Sequence, residues 1–344
     1  MSFKRLDQED IVISADSITA PAWSDNKVTL DSFFTSSAQV NRTSGDYYYN
    51  IYKDDFALTS SADIQFSLAY GNLDGSGSIP FNAGVHGNSP SSVVYKQFRN
   101  LINGTEETNL SFAGTEVKSI YALSIERARF KEKLLPGSIS LNLSSSLNGR
   151  HLHLTDDSNY VSAVTFGDSG REFELISGSA GVKATGIGSP GVNGYSAHSG
   201  SYGKFLPDIG VILLNGDALD ESPASGGLDL QTAISTGSNS ANLGKLYNHL
   251  DLASSFTLRS EETVSSNYVF IRARNSEFNY STNPSNITGS GELRHNVMID
   301  TPQAYITSVG LYNDNNDLLG IAKLSRPLLK DFTKESLVRV KLDY

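Results

Sequence analysis

Period-two alternation of apolar and polar side chains is the dominant pattern along this chain. It predicts strands over residues 28–30, 47–52, 64–70, 139–143, 268–273 and 337–344. In the last of these, Val338, Val340, Leu342 and Tyr344 share one face while Arg339, Lys341 and Asp343 share the other, as a half-buried strand requires. Helical periodicity is rarer. Residues 90–103 carry Val94, Phe98, Leu101 and Ile102 on one stripe, with Ser89 placed to cap the free N–H groups, Pro90 at the first helical position and Gly104 at the stop. A second helix is expected over 242–252, with Leu243, Leu246, Tyr247 and Leu250 on its apolar face, and a third, short one over 228–234.

These elements define a mainly β fold with a few short helices, all-β to α+β, built from antiparallel, sandwich-like sheets. From Gly167 to Gly203 inclusive there are ten glycines, and the wider region 155–227 reads as Gly/Ser-rich loop. The expected organisation is an extended N-terminal arm or peripheral subdomain over 1–60, then a β-rich body over 61–344 that ends in the strand 336–344. No internal repeat is visible.

Composition narrows the function. Of the 344 residues, 38% are hydrophobic, and 16 Tyr and 16 Phe supply enough large apolar surface for a packed core. The net charge of −10 sets the surface against phosphate backbones and anionic headgroups, so neither nucleic acid nor membrane is expected as a partner. There is no cysteine, which removes disulfides, thiolate metal sites and thiol nucleophiles. No apolar run approaches the ~20 residues of a membrane span, and the polar start MSFKRLDQED has no signal-peptide core. A soluble product assembled in a reducing cytoplasm is expected.

Several strings imitate catalytic or ligand motifs. Gly167-Asp168-Ser169-Gly170 matches the surroundings of a trypsin-like nucleophile, with His151 and His153 upstream, but Arg171 replaces the next glycine and neither histidine has that family's setting; a turn is the preferred reading. Gly186-Ile-Gly188-Ser-Pro-Gly191 spells a dinucleotide fingerprint without the helix that would face the pyrophosphate. Asn72, Asp74 and Ser76 resemble half a calcium loop, yet its twelfth position is Ala83; Asp74-Gly75 reads instead as a hairpin turn. His151 and His153 share one strand face near Asp156 and Asp157, a pattern more often solvent-facing than metal-binding. Asn-x-Ser/Thr strings at Asn103, Asn109 and Asn279 reflect composition. No catalytic, cofactor-binding or metal-binding residue is assigned, no cofactor is expected, and the chain is read as a non-enzyme.

A resemblance adds to this. Residues 10–23 (DIVISADSITAPAW), 89–101 (SPSSVVYKQFRNL), 121–137 (YALSIERARFKEKLLPG), 268–284 (YVFIRARNSEFNYSTNP), 304–319 (AYITSVGLYNDNNDLL), 322–329 (AKLSRPLL) and 339–343 (RVKLD) resemble as a set a family of virion structural proteins of contractile-tailed, T-even-like bacteriophages. The likeness covers most of the chain apart from the Gly-rich middle and is most specific over the last forty residues. It implies a structural part of the virion, a baseplate or tail-associated subunit assembled in the host cytoplasm. Its partners would be other phage structural proteins, with self-association into a homo-oligomer as a further option. The alternative is a receptor- or carbohydrate-binding module of a tail fibre, for which aromatics among amides at 47–50 could stack on sugars, although Trp23 is the only tryptophan.

Overall fold

The computed structural model describes residues 6, 8–20, 27–30, 33–35, 48–55, 58, 62–77, 89–130, 132–145, 149, 151–184, 201–232, 239–253, 255–281 and 283–343. The fold is mainly β with antiparallel sheets, as the alternation predicts, and the chain forms two compact units, residues 20–262 and residues 1–19 with 263–344. This division differs from the expected arm and body. Residues 8–19 belong with the C-terminal unit, while Lys27–Thr29, Phe34 and Tyr48–Tyr52 are built into the sheet of the other.

In the unit 20–262 the strands run in the order Ser140–Ser144, His151–Asp156, Gly170–Ser179, Gly203–Leu206, Val211–Asn215, Ser119–Ile125, Ile64–Asn72 and Tyr48–Tyr52, every neighbouring pair antiparallel. The sheet curls on itself. At one end Phe256 and Thr257 pair with Leu141 and Ser140, and Thr257–Arg259 pair in turn with Lys27–Thr29. The Leu30 N–H then donates to the Phe256 carbonyl (3.1 Å), and Phe34 bridges to Tyr52 at the opposite end. The Phe66 ring sits edge-on to both Phe33 and Phe256, 5.7 Å between centroids in each case, so strands from the two ends of the sheet meet in one core.

Two strands of this sheet are buried on both faces. In Ser119–Ile125, Tyr121, Leu123 and Ile125 enter the inner core while Ile120 and Ala122 enter a second core; Val211–Asn215 divides likewise, with Ile212 and Leu214 inside and Val211 and Leu213 outside. Such strands show a continuous apolar run rather than alternation. The second core is covered by the helix Pro90–Asn103, which contributes Tyr95 and Ile102. The Tyr95 hydroxyl donates to the Val117 carbonyl (2.6 Å) and accepts from the Leu110 N–H (3.1 Å); burial pushes its pKa up to about 12. A side chain at Gly71 would stand 2.8 Å from the Tyr95 backbone nitrogen, so the close approach of helix to strand needs glycine there.

The ends of this helix follow the sequence, with Pro90 in the first turn and Gly104 left-handed at φ 63°. Two details differ. Ser89 occupies the N-cap position but its side chain bonds none of the free N–H groups; its hydroxyl donates to the Gly75 carbonyl (2.6 Å), fixing the preceding turn instead. The buried line is Ser91, Ser92, Tyr95, Arg99 and Ile102, with Val94, Phe98 and Leu101 only half-buried, because the sheet beneath favours the tyrosine. The second helix spans Asn239–Ala253 and places Leu243, Leu246 and Leu250 in the inner core with Tyr247 against it.

The expected helix at 228–234 is absent over the described residues 228–232. Leu228 and Leu230 both donate backbone N–H groups to the Leu219 carbonyl and are buried, while Asp229 and Gln231 take left-handed φ of 56°, which no helix accommodates. Residues 233 and 234 lie outside the described residues. Nor is 155–227 mainly loop. It holds the strands Gly170–Ser179, Gly203–Leu206 and Val211–Asn215 and the helix Gly216–Asp220, because Phe173, Leu175, Phe205 and their neighbours supply core despite the surrounding glycines. Residues 185–200, with the dinucleotide-like string, lie outside the described residues.

In the second unit the strand Ser336–Asp343 pairs antiparallel with the latter half of Phe256–Ala273, from Ser266↔Asp343 to Ala273↔Ser336. Val338 and Val340 form a small core with Val269 and Ile271, confirming the inward face expected from alternation, although Leu342 is exposed and Tyr344 lies outside the described residues. A two-stranded ribbon, Ala304–Tyr312 with Leu318–Lys330, lays Val309, Leu311, Ala322, Leu324 and Leu328 on that core. Asp10 anchors the N-terminal segment in this unit. Its carboxylate meets Arg272 Nη2 and Arg274 Nε, each at 2.8 Å; burial would raise its pKa, but the two guanidinium groups outweigh that and hold it below the usual range.

Candidate functional site

The motif residues fall into structural positions. Gly167 pairs with Gly170 across a tight hairpin, so Asp168 and Ser169 are its turn; Ser169 is buried, its hydroxyl 3.5 Å from Glu172 Oε1. The Asn72 side-chain oxygen accepts the N–H groups of Asp74 (3.0 Å) and Ser76 (3.1 Å), and its amide nitrogen donates to the Ser119 hydroxyl (3.0 Å). Asn72 thus organises a turn, as an Asx-type side chain does. Ala83 lies outside the described residues.

His151 and His153 lie on the strand His151–Asp156 as expected. His151 Nδ1 is 2.6 Å from the Ser144 hydroxyl, and burial, then the neighbouring His151, lowers the pKa of His153. Asp156 is not beside them but in the interior, where its Oδ2 accepts from the Gly137 N–H (2.7 Å); burial raises its pKa. Among the described residues no group of three or more His, Asp or Glu is arranged to hold a metal. In the run 47–50, Tyr48 is exposed, Tyr49 is core and Asn50 accepts from the Ser67 hydroxyl (2.7 Å), while Tyr47 lies outside the described residues. Trp23 lies outside them as well.

Charged side chains gather around the strand Gly170–Ser179. Arg171 binds Asp208 through Nε (3.0 Å) and Nη2 (2.7 Å) and Glu261 through Nη2 (2.7 Å). Lys204 pairs with Glu172 (2.7 Å), and Ser201 donates to Glu174 (2.5 Å), whose pKa burial raises. Each charge here has an opposite charge or a hydrogen bond to answer it, which is the arrangement of a structural network.

The surface features with binding character are on the ribbon. Because its inward side chains face the core of Val269, Ile271, Val338 and Val340, alternation turns Tyr312, Leu319 and Ile321 outward, and the register shift between Ile306 and Ser308 turns Tyr305 outward as well. Tyr305, Leu319 and Ile321 are 63%, 71% and 60% exposed. Ile321 lies opposite Gly310, and an added Cβ at Gly310 would stand 2.9 Å from the Tyr312 ring, so that ring lies across the glycine. Leu318 is the next neighbour, paired with Tyr312. The turn is fixed by Asn313 and Asp317, which exchange backbone and side-chain hydrogen bonds. Among the described residues, Ser336–Asp343 pairs with one strand alone, leaving its other edge open, and Leu337 is exposed there. In the sequence this ribbon is marked only by the match at 304–319 and 322–329; exposure of one apolar face is not encoded by alternation, which looks the same whichever side meets the core. Among the described residues no helix is long and apolar enough to cross a membrane. Comparison of the chain with family models, with curated proteins and with solved structures finds no match.

Proposed function

We propose that this chain is a structural subunit of a bacteriophage particle, a baseplate or tail-associated part that joins neighbouring structural proteins. The observation that carries the reading is the exposed apolar group near the ribbon's turn, Leu319 and Ile321 beside Tyr312, with Tyr305 exposed further along the same ribbon, which itself packs on a small apolar core. Contiguous apolar side chains left in water mark association surfaces, and aromatics are favoured at their centres. The open edge of Ser336–Asp343 offers a second mode, addition of a neighbour's strand. The resemblance of residues 304–343 to virion proteins points the same way. The carbohydrate-binding alternative is less well supported, since the run that motivated it presents Tyr48 alone among its described aromatics.

The paired substitution Leu319→Asp with Ile321→Asp tests this. Both side chains are exposed, so the isolated chain should keep its stability to within about 1 kcal/mol. Incorporation into particles, measured by complementation of a deletion phage, should fall by about tenfold or more, the effect of losing a central apolar contact. Normal incorporation of the double variant would remove the ribbon from the assembly role.

A further inference from the structure

Lys330 ends the strand Leu318–Lys330 and, among the described residues, is the one lysine in the buried class, with no exposed surface. Its Nζ is 2.8 Å from the Asn279 side-chain oxygen, 3.1 Å from the Asn275 carbonyl and 3.0 Å from the Asp331 carbonyl. All three acceptors are neutral. A desolvated ammonium is costly where no carboxylate touches it. Burial accordingly lowers the pKa of Lys330, with the charges of Asp331, Glu277 and Glu335 opposing that shift only in part.

Asn279 is also buried, and it is held in one orientation. Its amide nitrogen donates to the Asn275 carbonyl (2.8 Å), the same oxygen that receives Lys330, and the preceding Phe278 takes a left-handed φ of 56°. That conformation is unusual for a bulky residue and is kept only where the surroundings impose it. The fixed amide therefore presents its carbonyl to the lysine. With a C=O bond of about 1.23 Å, the Asn279 Cγ lies within about 4 Å of Nζ, close to the ~3–3.5 Å of a near-attack arrangement. Glu277 stands two residues before Asn279, half-buried with one carboxylate oxygen fully buried, and acts electrostatically on Lys330.

We propose that Lys330 and Asn279 join in an intramolecular isopeptide bond, formed by attack of the lysine amine on the asparagine side-chain amide with release of ammonia. Lys330 gives one proton to the Glu277 carboxylate, and its lone pair forms the new N–C bond at Asn279 Cγ while the carbonyl pair moves onto oxygen. The attacking nitrogen then loses a second proton and the original amide nitrogen gains one, with Glu277 as carrier. As the carbonyl reforms, the old C–N bond breaks and ammonia departs. The proton that Glu277 took first leaves with the ammonia as ammonium. No electrons are gained or lost, and no oxidant or cofactor is needed. A buried charge is replaced by a neutral amide, and two points 51 residues apart become covalently joined. Such a closure restricts the unfolded chain in the way a disulfide does. It would brace this unit whatever the chain assembles with.

Peptide mapping of the full-length protein tests the bond without relying on any variant. After trypsin, which spares the Arg326–Pro327 bond, the expected product is one branched peptide joining residues 275–294 to 324–334, lighter than the sum of the two by one ammonia. Glu277→Gln should yield the two peptides separately, with the intact protein still folded by circular dichroism. Finding residues 275–294 and an unmodified Lys330 as separate peptides in the folded wild-type protein would overturn the proposal, leaving Lys330 a buried ammonium satisfied by three carbonyl oxygens. An ammonia loss that maps to a succinimide at an asparagine, with no branch, would overturn it equally. A branched peptide persisting in Glu277→Gln would overturn the assignment of Glu277 as proton carrier.

Discussion

Phe66→Ala should destabilise the unit 20–262 by about 4 kcal/mol, in the range for a buried phenylalanine truncated to alanine. Phe66 has no exposed surface and touches Phe33 on one side and Phe256 on the other, both edge-on. Removing its ring deletes both aromatic contacts and opens a cavity where the two ends of the sheet meet. The cavity cannot collapse readily, because Leu30 and Phe34 fix the closing segment by backbone hydrogen bonds to Phe256 and Tyr52. Phe66→Leu, which keeps most of the volume, should cost less than half as much. Urea unfolding followed by a probe within this unit checks both values. A loss below about 1 kcal/mol for the alanine variant would mean that the closure contributes little to stability.

Arg171→Met is the second large effect, about 3 kcal/mol at neutral pH. Arg171 neutralises two carboxylates, Asp208 and Glu261, whose side chains are largely buried. Methionine keeps much of the apolar stem but leaves both acids facing each other without a cation, and stranded buried charges are what make such deletions costly. The pH dependence gives the sign. Burial raises the Asp208 pKa, but the Arg171 hydrogen bonds and charge outweigh it and hold the group below its ordinary value. A carboxylate with a depressed folded pKa adds stability above its unfolded pKa, and that contribution is lost as the pH falls through the folded value. The deficit of Arg171→Met relative to wild type should therefore be largest near neutrality and shrink below about pH 4. Asp156, Asp157, Glu174 and Asp220 act in the opposite sense. Burial raises each of them, so their favourable contribution is complete below the unfolded pKa and declines as the pH rises through the raised values. Comparing urea midpoints of the two proteins at several pH values separates the Arg171 effect from this shared background.

The parts of the fold that were legible in the sequence are those whose signal is local. Residues 337–343 alternate because one face meets a core and the other does not, residues 64–70 because Phe66, Leu68 and Tyr70 enter the inner core while the small or polar Gln65, Ser67 and Ala69 face the other way. Pro90 and Gly104 mark helix ends by their own backbone geometry. Ser119–Ile125 and Val211–Asn215 went unrecognised because a sheet buried on both faces erases alternation. Residues 228–232 carry helix-compatible spacing, yet two backbone bonds to Leu219 hold them as coil, a tertiary preference with no local trace. The Gly-rich stretch misleads in the same way: glycines at 170, 178 and 203 sit within strands where the backbone turns left or another chain segment passes close.

The candidate sites show the same limit. Asp168 and Ser169 read correctly as a turn because Gly167 and Gly170 supply the hairpin chemistry on the spot. Lys330 and Asn279 are separated by 51 residues and embedded in unremarkable sequence, so only the fold brings them together. The ribbon lies between. The resemblance touches its residues, but the alternation-based strands do not include Ala304–Tyr312 or Leu318–Lys330, and which of its faces stays in water depends on the Val338 and Val340 core beneath.

The central claim, that the chain is a particle subunit, is tested most directly by mass spectrometry of purified phage after separation of heads from tails. The expected result is the chain in the tail fraction, at a stoichiometry set by the rotational symmetry of that assembly. Its absence from both fractions would contradict the structural role and turn attention to binding modules and enzymes.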